Sequence, residues 1–168
     1  MNTALATRVQ DLVDAFEFIG RTRMADVPVL NPALHVQAVA FAAQKHAGDE
    51  EGGALGILVT PWFMNLIWLA AADATTPPVG ETTLRVIGGQ ALEFIAAHDD
   101  ATGRYELCSL YSPMFEFHDQ ATACATAEAV LDALRQPPAL PAPPITPREA
   151  APARRAFLLG RGSSAVAP

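Results

Sequence analysis

From Thr3 to about Met24 the apolar positions Val9, Leu12, Val13, Phe16 and Ile19 recur at intervals of three and four. That spacing places them on one stripe of an amphipathic helix. Pro28 and Pro32 end it, because proline has no N–H to donate and pushes the preceding residue toward extended geometry. Leu34, Val36 and Ala38 then alternate with His35 and Gln37, the period of a half-buried strand. After a polar turn over Gly48 to Gly53, the nearly all-apolar run Ala54 to Thr60 predicts a buried strand stopped by Pro61. Trp62 to Leu69 fits either a further strand or a packed loop, and Ala71 to Glu81, with Pro77, Pro78 and Gly80, is a loop.

Thr83 to Ile87, Ala91 to His98 and Arg104 to Leu110 read as an antiparallel meander. Gly88-Gly89 and Asp99 to Gly103 supply residues that favour its tight turns. Ser112-Pro113 closes the last strand. A second helix follows over Asp119 to Arg135, with Asp119 as N-cap and Cys124, Ala127, Leu131 and Leu134 along one stripe. Half of the chain's 14 prolines then fall between Pro137 and Pro152, a density that favours extended chain over a packed core. The expected organisation is one α+β domain over 1–136, followed by a proline-rich linker and tail over 137–168. Its sheet has about five antiparallel strands, backed by the N-terminal and C-terminal helices.

Composition narrows the function. At 168 residues with 51% hydrophobic and 17% charged side chains, the chain can bury one substantial core. Its formal charge of −7 opposes attraction to phosphate, which argues against nucleic acid and anionic membrane as partners. No uncharged apolar run reaches ~18 residues and no signal-peptide pattern opens the chain, so a cytoplasmic protein is expected. Two cysteines, far apart in sequence, fit neither a disulfide scaffold nor a zinc ribbon.

The signatures of nucleotide loops, hydrolase elbows and zinc proteases are absent from the sequence. In the meander His98 falls roughly 17 Å from Cys108 at ~3.4 Å per residue, too far to activate that thiol. The histidines and cysteines show no metal-ligand spacing, and no cofactor or metal is expected. The acidic runs Asp49-Glu50-Glu51 and Asp99-Asp100 are solvated turns. Two aromatic segments remain, Thr60 to Leu69 and Cys108 to Phe115, together with the tail island Arg154 to Arg161. Each is either core or a surface that receives another protein.

The order of these pieces carries a resemblance: Asn31-Pro32, then Gly56-x-Leu58-Val59-Thr60-Pro61-Trp62-Phe63-Met64, then Cys108-Ser109-Leu110-x-Ser112-Pro113-Met114, then Arg154-Arg155-x-Phe157-Leu158-x-Gly160-Arg161. Together they resemble the nickel-iron hydrogenase assembly chaperones of the HybE/HupJ/HoxT type, over nearly the whole chain. The resemblance implies a non-enzymatic maturation factor. Such a factor binds the precursor small or large subunit of an uptake hydrogenase and holds it until cofactor insertion and subunit pairing are complete, before twin-arginine export. It also implies other maturation factors as partners, a rubredoxin-like protein among them. On this reading Trp62, Phe63, Met64, Tyr111, Pro113 and Met114 shape the partner surface, and Arg154, Arg155, Phe157 and Leu158 form a second contact. The rival is a small enzyme centred on the Cys108 thiol, and a third option is an iron-sulfur or metal carrier.

Overall fold

The computed structural model describes residues 3–44, 52–71 and 74–135. The elements run α1 (Thr3–Thr22), β1 (Gln37–Gln44), β2 (Gly53–Val59), β3 (Met64–Ala70), β4 (Thr82–Ile87), β5 (Gln90–Asp99), β6 (Gly103–Tyr111) and α2 (Gln120–Arg135). The strands form one antiparallel sheet in the order β1-β2-β3-β6-β5-β4. The class is the expected α+β, with six strands where about five were expected. The additional one is Met64–Ala70, the run left open between strand and packed loop.

Strands β2 and β3 are the centre of the molecule because both of their faces are covered. Leu58, Ile67 and Leu69 pack beneath Val9, Leu12 and Phe16 of α1. Their chain neighbours Ile57, Leu66 and Trp68 pack beneath Ala123, Ala127, Leu131 and Leu134 of α2. Every residue of β3 is buried, which is why its sequence reads as a continuous apolar run without alternation. Close packing fixes both glycines of β2: a Cβ at Gly56 would run into the Phe41 ring, and one at Gly53 into the Trp68 ring.

The ladder of β1 begins three residues later than the Leu34 to Ala38 alternation predicts. Leu34 joins the core on the α2 side and Val36 the core on the α1 side, so the two do not share a strand face. Their backbone is satisfied elsewhere: Leu34 N–H donates to the Asn31 carbonyl, and His35 N–H to Gln120 Oε1. Within β1 a register shift between Val39 and Ala42, with Ala40 at φ 48°, sends Val39 and Phe41 to opposite cores.

The expected turns and cap are present. Gly88 and Gly89 both take positive φ between β4 and β5, as a tight hairpin turn requires. Between β5 and β6, Ala101 N–H donates to Asp99 Oδ1 at 2.9 Å. Asp119 caps α2 by accepting from Thr122 N–H at 2.7 Å, and these hydrogen bonds to its ionised form hold the carboxyl below the usual range. At its far end, α2 places the Leu134 carbonyl against Gly88, and Arg135 donates to the Ala40 carbonyl at 2.7 Å. Both edges of the sheet thus reach the same helix end, and the sheet curls around α2.

One buried charge sets the orientation of the β4 edge. Glu106 on β6 is 2% exposed and takes a two-pronged contact from Arg85 on β4, at 3.0 Å from Nε and 2.6 Å from Nη2. Thr83 donates to the same carboxylate at 2.7 Å, and the Arg85 guanidinium lies 4.7 Å from the centre of the Trp68 ring. A carboxylate removed from water needs such partners, because its desolvation costs several kcal/mol. Thr83 and Arg85 therefore point inward on β4, and period-two alternation sends Leu84 and Val86 outward.

Candidate functional site

Three segments far apart in sequence meet at one end of the sheet, and a single amide holds them. Asn31 is 7% exposed. Its Nδ2 donates to the carbonyls of Met114 (2.9 Å) and Phe117 (2.7 Å), and its Oδ1 accepts from Ala33 N–H (3.0 Å). Its own N–H donates to the Pro61 carbonyl at 2.8 Å. The β2–β3 turn is closed by buried Thr60, whose hydroxyl accepts from Phe63 N–H at 2.9 Å and donates to the Phe63 carbonyl at 3.0 Å. Ser112, in cis linkage to Pro113, reaches the Trp62 carbonyl at 3.4 Å. Every polar side chain of this knot is spent on backbone groups of the neighbouring loops.

Two groups of rings flank this base, one on the α1 side of the sheet and one on the α2 side. Trp62 and Phe63 are half-buried and meet edge to face at 5.6 Å, and Phe63 meets Phe16 of α1 in the same way at 5.4 Å. The Trp62 ring lies against Gly20 of α1, where an added Cβ would stand 3.3 Å away. Half-buried Tyr111 meets Phe117 at 5.2 Å. Pro113 is exposed, and beside this group Phe115 is 56% exposed.

Two of the expected surface residues are elsewhere. Met64 and Met114 are both 0% exposed and belong to the core on the α2 side. Met64 is the first residue of a strand covered on both faces, and Met114 is drawn in by the Asn31 bond to its carbonyl. Fully buried, they cannot touch a partner. Trp62 and Phe63 pack with the core on the α1 side and Tyr111 with the core on the α2 side, so the expected residues form two ring groups at this end of the sheet, with Pro113 and Phe115 exposed on the loop after Tyr111. Arg154, Arg155, Phe157 and Leu158 lie outside the described residues.

Cys108 is half-buried on β6, opposite Leu66 of β3. Burial pushes its thiol above the ordinary range, and the charge of Glu93 pushes it further the same way. A thiol so placed is poorly ionised at neutral pH, the reverse of what an activated nucleophile needs. His98 pairs with Arg104 across the hairpin, four residues along β6 from Cys108. Among the described residues no group of three or more His, Cys, Asp or Glu side chains is placed to hold a metal ion, and no helix is long and apolar enough to cross a membrane.

Sequence reasoning reached the aromatic segments but not Asn31 as the group that binds them. Its only local signal was the Asn-Pro pair, whose partners stand 83 and 86 residues away. The outward-facing Leu84, Val86 and Ile95 were also missed, because ordinary alternation assigns such residues to a core.

Comparison with known proteins agrees with this architecture. The protein HoxT of Cupriavidus necator is 49% identical over 161 residues, 92% of this chain and 89% of that protein. A Rhodobacter capsulatus protein named as probable rubredoxin HupJ is 41% identical over 128 residues, covering 74% of this chain and 43% of that protein. The solution structure of HybE from Escherichia coli superposes with a TM-score of 0.61 at 24% identity, over 94% of this chain and 92% of that one, and shares the fold. Residues 7–160 match the family described as [NiFe]-hydrogenase assembly, chaperone, HybE. With that match spanning both helices, the whole sheet and the Asn31 knot, the chain belongs to the HybE family of [NiFe]-hydrogenase assembly chaperones.

Proposed function

We propose that this protein acts by binding rather than by catalysis. It holds a precursor subunit of an uptake [NiFe] hydrogenase in the cytoplasm until cofactor insertion and subunit pairing are complete, ahead of twin-arginine export. The observation that supports this reading is the knot around Asn31, which sets Trp62, Phe63, Tyr111, Pro113 and Phe115 on a base with little freedom to move. Apolar rings fixed before binding lose little conformational entropy when a client segment covers them. The −7 charge keeps such a surface dispersed in solution. A rubredoxin-like protein is a second partner on this reading, supported by the name of the Rhodobacter capsulatus relative.

The test is capture by the tagged full-length protein from hydrogenase-expressing cells, with each recovered subunit checked for its uncleaved precursor form. Phe115→Asp and Phe115→Ala alter an exposed position, so they should preserve thermal unfolding while reducing precursor capture about tenfold or more. Undiminished capture by both variants, or normal hydrogenase maturation in a strain lacking the protein, would overturn the proposal.

A further inference from the structure

Strand β4 is turned inside out over Thr83 to Val86, with its polar residues toward the sheet's interior and its apolar residues toward solvent. Its polar residues Thr83 and Arg85 face inward to Glu106. Its apolar residues Leu84 and Val86 are 69% and 61% exposed. They lie on the α1 side of the sheet, where α1 packs over β1–β3 and reaches Tyr105 and Leu107 of β6 and Ala97 of β5, but leaves Leu84 and Val86 of β4 exposed among the described residues. Ile95, paired with Leu107, adds a third exposed apolar side chain at 46% on the same face. Isolated exposed apolar residues are ordinary, whereas a strand whose apolar residues are held outward by a buried ion pair is not.

The same strand is the open edge of the sheet. Glu81 accepts from Ala96 N–H, which puts the odd-numbered residues of β4 in hydrogen-bonding register with β5. The N–H and C=O groups of Thr82, Leu84 and Val86 consequently point away from the sheet, toward any strand that arrives. Edge amides and flanking apolar side chains are what an added β-strand uses.

Charge selects the occupant. Along the α1-facing side of the strands the alternation places Glu93 beside β4 and Asp99 beyond its end, while Arg85, His98 and Arg104 fall on the other face and Arg8 of α1 is spent on the Ala70 and Arg104 carbonyls. Glu93 stands directly opposite Leu84. This exposed carboxylate sets negative charge beside the apolar strip of Leu84, Val86 and Ile95.

We infer that the β4 edge receives an extended, apolar segment of another protein carrying basic residues, which adds to the sheet as a seventh strand beside Leu84 and Val86. This surface is separate from the ring cluster at the Asn31 knot, so the inference does not require that cluster to be the client site.

The probe is a ten-residue peptide of alternating valine and lysine, compared with its valine and glutamate counterpart on the intact, isotope-labelled protein. Amide hydrogen exchange of Thr82, Leu84 and Val86 is the readout. The basic peptide should slow exchange at these three amides about tenfold, consistent with one hydrogen bond gained at each, and the acidic peptide should not. Leu84→Lys with Val86→Lys should remove the protection with the fold unchanged, and Glu93→Lys should reverse the preference between the peptides. Equal protection by both peptides, or none by either, overturns the inference. So does protection without peptide that rises with protein concentration alongside a dimer in sedimentation, since a second copy would then occupy the edge.

Discussion

Replacing Asn31 by alanine should loosen the sheet end more than any change to a ring on its surface. The substitution removes the donor to the Met114 and Phe117 carbonyls and the acceptor for Ala33 N–H. Each buried group left without a partner costs ~1–3 kcal/mol. The three are not independent, and water can enter beside exposed Pro113, so the sum is about 3–5 kcal/mol. With a urea slope of ~2 kcal/mol per M, the unfolding midpoint should fall by about 1.5–2.5 M.

Asn31→Asp gives the sharper comparison. It keeps an acceptor for Ala33 but turns a carboxylate oxygen toward two carbonyls, which favours the protonated acid in the folded state. A folded pKa raised above the unfolded value means that stability is lost as pH rises, so the deficit of this variant should shrink between about pH 7 and about pH 5. The alanine variant should show no such change relative to the parent. Midpoint shifts below about 0.5 M for alanine, or a pH-independent deficit for aspartate, would refute the account of Asn31 as the tie of the knot.

Glu106→Gln should cost about 3–5 kcal/mol in urea unfolding by leaving Arg85 with a weakened buried partner, whereas Glu106→Leu combined with Arg85→Met should cost much less. Gly56→Ala drives a methyl into the Phe41 ring, and a loss of about 1–3 kcal/mol with altered near-ultraviolet dichroism is expected. Because burial and Glu93 raise the Cys108 pKa, iodoacetamide should label that thiol more slowly than free cysteine at about pH 8. The sign for stability follows: the folded state holds the thiol proton more tightly, so this group's contribution is intact below the unfolded pKa and is lost as pH rises through the folded one.

Short-range chemistry accounts for what could be read along the chain. The α1 stripe, the Gly88-Gly89 and Asp99 to Gly103 turns, the Asp119 cap and the buried run of β2 each rest on groups within a few residues of one another. The aromatic segments around Trp62 and Tyr111 were also legible, because large rings beside prolines stand out in any composition. Tertiary structure decided everything that depends on a distant partner. It started β1 at Gln37 by satisfying Leu34 and His35 through Asn31 and Gln120. It buried Met64 and Met114 while leaving Phe115 in solvent. It placed β6 between β3 and β5, which left β4 at the edge. The face that β4 shows to water follows from Glu106, 21 residues beyond Arg85 in the chain. Alternation along a strand determines that its two faces differ, but only the partner across the sheet determines which face is buried.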